Sequence, residues 1–264
     1  MSEVFALVES TPAEPAATCW VRVALDVPLP GPFDYRHTAP ITAGLRVIVP
    51  FGRRKLIGVV VDNPAEPSFE PKQIKPIEEV LDDLPPFDDA WLRLARFAAE
   101  YYQRPLGEVM LPTLPPPLRK PTAYQGKRSA GGPVARLDAR KRKTARAAAT
   151  ADQPPDLNDA QQTAVDTIAG LTRFKPVLLY GVTGSGKTEV YLRAAEKVLA
   201  AGRQVLLMVP EINLTPQLEG ALRARLESLV GPDGLAVMHS GLSDGERLQA
   251  WSRAQRGQAR MLLG

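Results

Sequence analysis

The sequence predicts an α/β protein: a small β-rich unit comes first, then a short basic stretch, then a unit with a parallel sheet. Three observations carry this. From Leu157 onward, short apolar runs alternate with helix-length segments, the pattern of parallel strands joined by helical crossovers. Gly181 to Thr188 fits the phosphate-binding pattern G-x-x-x-x-G-K-S/T, and it lies between the apolar run Val177–Tyr180 and the helix formers of Glu189–Ala201. Near the front, from Cys19 to Asp62, runs rich in β-branched residues are cut at short intervals by prolines and glycines.

In chain order, residues 1–18 carry Glu3, Glu9 and Glu14 without a basic start, so they read as a tail and not a signal peptide, and a cytoplasmic protein is expected. Trp20–Leu25, Leu45–Val49 and Leu56–Val61 are strand candidates, with turns at Pro28, Pro30, Gly31, Pro32, Gly44, Pro50 and Gly52. This spacing predicts a small antiparallel unit, a partly closed barrel, with another strand within Ile74–Leu81. Asp88 or Asp89 then caps a helix carrying Trp91, Leu92, Leu94, Ala95, Phe97 and Ala98, with Tyr101 and Tyr102 at its end; its aromatics read as core by their helical spacing, with a ligand platform as the alternative. The first domain is placed at 19–111.

Residues 112–155 read as a linker, because prolines crowd Pro112–Pro117, cations crowd Arg140–Lys143 and large apolar residues are scarce. The charge is concentrated here. Lys and Arg number 11 against 16 Asp and Glu over residues 1–111, 10 against 2 over 112–155, and 12 against 11 over 156–264. Such a stretch attracts phosphate backbones, or it is a solvated tether with incidental charge.

The last domain, 156–264, opens with a helix at Ala160–Leu171, followed by the P-loop strand and a helix ended by Gly202. A strand at Gln204–Val209, a helix to about Val230, a strand at Leu235–Met238 and a helix capped by Ser243 or Asp244 follow. Ala259–Leu263 begins a fourth strand, so the domain is expected to be incomplete.

The P-loop chemistry is specific. Glycines turn backbone N–H groups toward phosphate oxygens without a Cβ in the way. The helix N-terminus adds partial positive charge. Lys187 reaches the β/γ-phosphates and the Thr188 hydroxyl ligates Mg²⁺. Gly181, Thr183, Gly184, Ser185, Gly186, Lys187, Thr188 and Glu189 are therefore the expected ATP and Mg²⁺ residues, with Lys187 and Thr188 as the catalytic pair. The single cysteine, Cys19, excludes an internal disulfide and a cysteine-built zinc site within these residues. No apolar run approaches the ~20 residues of a membrane span.

Several segments resemble one family, the primosomal replication-restart helicases (primosomal protein N′, PriA). Gly181–Tyr191, Val209–Gln217, and His239–Ser243 with Glu246, Arg247 and Trp251 are similar to its successive helicase motifs. Pro28–Tyr35, Gly44–Gly52, and Tyr101–Tyr102 with Pro105–Gly107 resemble its DNA 3′-end-binding domain. The resemblance implies a 3′-end-binding domain at the front and a partial RecA-like P-loop lobe at the end. It implies an ATP-driven 3′-to-5′ DNA helicase acting on branched or stalled forks, with other primosome and single-strand-binding proteins as partners.

It also implies residue roles. Gln161 would read the adenine edge, although it also suits a helix surface. Phe33, Asp34, Gly44 and Lys75 would form the pocket for a 3′-terminal nucleotide: a stacking ring, a carboxylate accepting from the 3′-OH, a close approach and a phosphate counter-charge. Phe33 as core and Gly44 as a turn residue are the bland alternatives. Thr215, Gln217, His239 and Ser240 would touch a single strand, with His239 a contact or loop-packing residue and not an acid–base group.

Two departures from the family pattern stand out: 112–155 leaves little room for the family's winged-helix domain, and its acidic Mg²⁺ motif, second lobe, arginine fingers and bound zinc have no counterpart before Gly264. Val80–Asp83 has a hydrophobic-then-acidic look but precedes the P-loop. The chain is thus expected to be a truncated front portion that binds ATP and DNA ends without unwinding. The competing readings are a non-enzymatic DNA-end-binding remnant and an unrelated P-loop NTPase or kinase.

Overall fold

Alternating inward valines build the first unit. In the structure, a computed structural model that describes residues 18–125, 132–140, 155–210 and 216–264, two units separate, Met1–Ala135 and Arg136–Gly264. The first holds strands β1 (Cys19–Leu25), β2 (Phe33–His37), β3 (Arg46–Phe51), β4 (Arg54–Asp62) and β5 (Glu79–Leu81), antiparallel in the order β2-β1-β4-β3-β5. Arg36 N–H donates to Lys75 O and Ile77 N–H to Arg36 O, while Glu78 N–H donates to Ile48 O, each at 3.0 Å. The segment before β5 therefore touches both β2 and β3, and the sheet curls toward closure. Val21, Val23, Val47, Val49 and Val60 fill its fully buried face, and the Tyr35 hydroxyl crosses to Pro50 O at 3.1 Å. β3 and β4 are joined by a two-residue loop whose first residue, Gly52, has φ +58°, as a type II′ hairpin turn requires.

Helix α1 (Asp89–Tyr101) is capped by Asp88, whose carboxylate accepts from Trp91 N–H at 2.8 Å. It buries Leu92 and Ala95. Phe97, Tyr101 and Tyr102, expected as core, instead remain 62–69% exposed, as does Leu94. Helical spacing defines a face but not which face turns inward, and the aromatic one turns outward.

A larger difference follows α2 (Leu106–Met110). The stretch expected to be linker from residue 112 continues in short 3₁₀ turns to Tyr124. Leu111, Leu114 and Leu118 anchor it, each no more than 2% exposed. Arg46 locks it: its guanidinium pairs with Asp83 and donates to Tyr124 Oη at 2.6 Å and to Leu118 O at 3.3 Å. The Tyr124 hydroxyl also donates to Asp83 at 3.1 Å. Burial pushes that hydroxyl well above its usual pKa, outweighing the neighbouring Arg46 charge. Helix α3 (Gly132–Arg140) follows, with Val134 buried. Most of the Arg136–Arg146 cation run lies outside the described residues.

The second unit contains α4 (Asp159–Ala169), α5 (Lys187–Ala200), β6 (Val205–Leu207), α6 (Pro216–Val230), β7 (Leu235–Val237), α7 (Asp244–Gln255) and β8 (Met261–Leu263). Its sheet is parallel, in the order β6-β8-β7. Leu199, Leu222, Leu226, Leu235, Met261 and Leu263 form the core between helices and strands. Ser243 caps α7 in a reciprocal capping box with Glu246. The expected P-loop strand is corrected: Val177–Tyr180 is not a strand, and Leu178 and Tyr180 are 88% and 92% exposed. An apolar run becomes a strand only where another offers its ladder groups, and among the described residues none pairs with this run.

Candidate nucleotide and DNA sites

The turn into α5 has the form its sequence demands. Gly184 and Gly186 take φ of +82° and +79°, and Gly186 is the helix N-cap with no side chain covering it. The first N–H groups of α5 therefore have no intrahelical acceptor, and nothing lies within 4 Å of where a Gly184 Cβ would be. Lys187 Nζ donates to Gly181 O at 2.7 Å and Val182 O at 2.9 Å, which places its ammonium inside the turn. Thr188 stands exposed on the first helical turn. The open Gly184, the first N–H groups of α5 and a central cation fit a polyphosphate. For Mg²⁺ the chain brings the Thr188 hydroxyl; no group of three acidic, histidine or cysteine side chains assembles among the described residues.

Gln161 lies against this turn. Its Nε2 donates to Ser185 O at 3.1 Å, and its Oε1 accepts from Asn158 N–H at 2.9 Å within the α4 capping box. A Cβ on Gly186 would come within 2.3 Å of that amide nitrogen. Glu189 is committed elsewhere. Arg225 of α6 grips it with two bonds of 2.7 and 3.0 Å, and Arg193 adds a third at 2.9 Å. Arg225 also reaches Glu196 at 2.5 Å. Hydrogen bonds from Arg225 hold the Glu189 carboxyl below its usual pKa. Nothing in the sequence pointed to Arg225, which lies 36 positions away.

On the barrel, Phe33 lies at the rim of the core and meets Phe51 edge-on, centroids 5.3 Å apart. Lys75 is exposed, with Nζ 3.4 Å from Gly52 O, so Phe33, Phe51, Gly52 and Lys75 share one end of the barrel. The Asp34 carboxylate is only 2% exposed, accepting from Arg22 Nε at 3.2 Å and from Ser68 N–H. Gly44 has φ +88°, and a Cβ there would lie 2.1 Å from Phe87 O. The close approach that requires glycine is thus made by the protein's own backbone. Gly44 sits three ladder steps from Phe33, through Val23 and Val60.

His239 and Ser240 follow β7, and Pro210 follows β6, at the carboxyl ends of parallel strands where α/β sheets bind ligands. His239 Nδ1 accepts from Gly241 N–H at 3.2 Å, and Arg247 donates to the carbonyls of His239 and Ser240 at 3.5 and 3.2 Å. Gln217 falls in the first turn of α6. Thr215 lies outside the described residues.

A glycine turn with the P-loop sequence pattern, in a unit with a parallel α/β sheet and with a small strand barrel before it in the chain, defines a P-loop protein carrying an appended β domain. Comparison makes this particular. Residues 22–115 match the family model for the PriA 3′ DNA-binding domain, and residues 158–264 match that of the DEAD/DEAH box helicases. The replication restart protein PriA of Treponema pallidum is 36% identical over 244 residues, covering 89% of this chain and 34% of the relative. That of Haemophilus influenzae is 32% identical over 305, covering 92% and 41%. That of Bacillus subtilis is 44% identical over 115, covering 42% and 14%. The chain belongs to the PriA replication-restart family and corresponds to its N-terminal portion. It spans between a third and about two fifths of the length of the first two of these relatives. Among the described residues no helix is long and apolar enough to cross a membrane.

Proposed function

We propose that this chain supplies the DNA 3′-end-binding and ATP-binding parts of a 3′-to-5′ DNA helicase that acts in replication restart at branched or stalled forks. The observation that carries the reading is the P-loop turn with Lys187 inside it, in one chain with a domain matched to 3′ DNA binding. Lys187 exchanges its two carbonyls for β/γ-phosphate oxygens, N–H groups of α5 hold the rest, and Thr188 with the phosphates ligates Mg²⁺. Gln161 turns its amide from Ser185 O to the adenine edge. Single-stranded DNA runs past Thr215, Gln217, His239 and Ser240. Forked DNA, single-stranded 3′ ends, and other primosome and single-strand-binding proteins are the partners of this reading, in the cytoplasm.

At the barrel, Phe33 stacks on the terminal nucleotide, with Lys75 near its phosphate and Gly44 shaping the wall. Asp34 accepts from the 3′-hydroxyl. A carboxylate offers about four acceptor positions, and Arg22 and Ser68 use two, so the hydroxyl enters as the Ser68 segment shifts. Anisotropy titrations with 3′-hydroxyl and 3′-phosphate oligonucleotides test this. The expected preference for the hydroxyl is about tenfold, the worth of one hydrogen bond to a charged group, and it disappears in Asp34→Asn. Equal affinity for both ends in the unsubstituted chain would sink the pocket.

A second reading, binding without turnover by the 264-residue chain, is favoured by Arg193 of α5 and Arg225 of α6 being held on Glu189 and Glu196. Neither neutralises a phosphate from there, and charge neutralisation by an arginine finger is worth ~10³–10⁵ in rate. Phosphate release at the uncatalysed background, with and without DNA, is expected; turnover stimulated by DNA would refute it.

A further inference from the structure

The hairpin between β3 and β4 ends in two cations that the fold does not use. Gly52, Arg53 and Arg54 are exposed, and neither arginine side chain has a hydrogen bond or ion pair among the described residues. Four other cations of the unit are ion-paired. Arg22 pairs with Asp34 and Asp62, Arg46 with Asp83, Lys55 with Glu78, and Arg104 with Glu108. Residues 1–111 carry five more acidic than basic groups, so two unneutralised guanidinium groups side by side are a local exception.

Their position gives them a use. Arg54 is the ladder partner of Phe51 and so projects on the same face of the sheet. Phe51 meets Phe33 edge-on at 5.3 Å, and Lys75 reaches the Gly52 carbonyl at 3.4 Å. Two arginines and a lysine therefore rim the barrel end where the Phe33 ring sits. We propose that Arg53 and Arg54 are a phosphate-binding clamp for single-stranded DNA, gripping the backbone phosphates of the nucleotides that precede the 3′ terminus. This rests on the 3′-end reading above. Arginine suits the task because its planar fork takes two phosphate oxygens at once. A tight hairpin holds the pair beside a stacking ring, and together they set the direction in which the strand leaves.

The test uses the 264-residue chain with Arg53 and Arg54 both changed to Gln, titrated by anisotropy with dinucleotide and octanucleotide oligothymidylates over a series of salt concentrations. Each single-strand phosphate contact contributes about 0.7 to the slope of log affinity against log salt. The octanucleotide slope should become shallower by roughly 1.4, with dinucleotide affinity changed less than twofold and the melting temperature unchanged. The double Lys variant should keep most of the slope. An octanucleotide slope equal to that of the unsubstituted chain would overturn the clamp, as would loss of an acidic peptide's binding with DNA binding intact. The end pocket is read separately. If 3′-hydroxyl and 3′-phosphate octanucleotides bind alike but the Gln variant still loses slope, the clamp stands and the pocket falls. A hydroxyl preference with an unaltered slope means the reverse.

Discussion

Changing Arg46 to Met is expected to lower the stability of the first unit by about 3–5 kcal/mol, the usual cost of removing one partner from a buried ion pair. Arg46 and Asp83 are 2% and 6% exposed, so the deletion leaves a carboxylate out of water with, among the described residues, only the Tyr124 hydroxyl donating to it. The same deletion frees Leu118 O from its guanidinium donor and removes the cation stacked 5.7 Å from the Tyr124 ring centre. Urea unfolding followed by tryptophan fluorescence checks the magnitude, since Trp20 and Trp91 lie in this unit. The second readout is local. Residues 111–124 should become the first site of tryptic cleavage, at the Arg119–Lys120 bond, because Arg46 ties that stretch to β3. Changing Asp83 to Leu together with Arg46 to Met should recover much of the loss, since an apolar pair leaves no unpaired charge. If the single variant were as stable as the parent, the ion pair would not be what fixes this segment.

That segment also shows where the sequence was legible and where it was not. Periodicity and caps found β1, β3, β4, α1, α6 and α7 within a few residues, because each signal is local: Asp88 and Ser243 accept from N–H groups three positions on. Residues 112–124 looked like tether because prolines and cations dominate their composition. The residues that anchor them are three leucines at spacings of three and four, and a partner, Arg46, some 70 positions earlier. No composition window registers a contact of that range. The hydrophobic-then-acidic look of Val80–Asp83 was likewise a core feature in disguise, with Asp83 serving Arg46.

At the candidate sites the glycine turn with Lys187 inside it was readable, since both lie within eight consecutive residues, whereas the strand expected before it is not there. The barrel pocket was less so. Gly44 pointed to a close approach, and the structure gives that approach to Phe87. Asp34 pointed to an acceptor, and Arg22 and Ser68 share it. Glu189 lies in the P-loop stretch yet bonds to a helix whose arginine no local pattern marks. Contacts that depend on which side chain meets which across elements are tertiary facts, and a sequence pattern supplies only the candidates.

Removing the Lys187 ammonium is the decisive experiment on the second unit. Lys187→Ala should weaken ATP binding by roughly 10- to 150-fold, the equivalent of a charged hydrogen bond of about 1.5–3 kcal/mol. It should leave the melting temperature within about a degree, because the carbonyls it releases, on Gly181 and Val182, belong to a turn open to water. Retained stability with lost affinity separates a ligand-binding lysine from a packing one. Titration with a fluorescent ATP analogue, with and without Mg²⁺, measures it. Thr188→Ala should lose affinity only in the presence of the metal, since its hydroxyl contributes through Mg²⁺ and not through the phosphates. DNA-end affinity should not change in Lys187→Ala, just as ATP affinity should not change when Arg53 and Arg54 are replaced. If Lys187→Ala bound ATP as tightly as the parent, the turn would be a structural feature of the α5 N-terminus, and the assignment of nucleotide chemistry to this chain would fall with it.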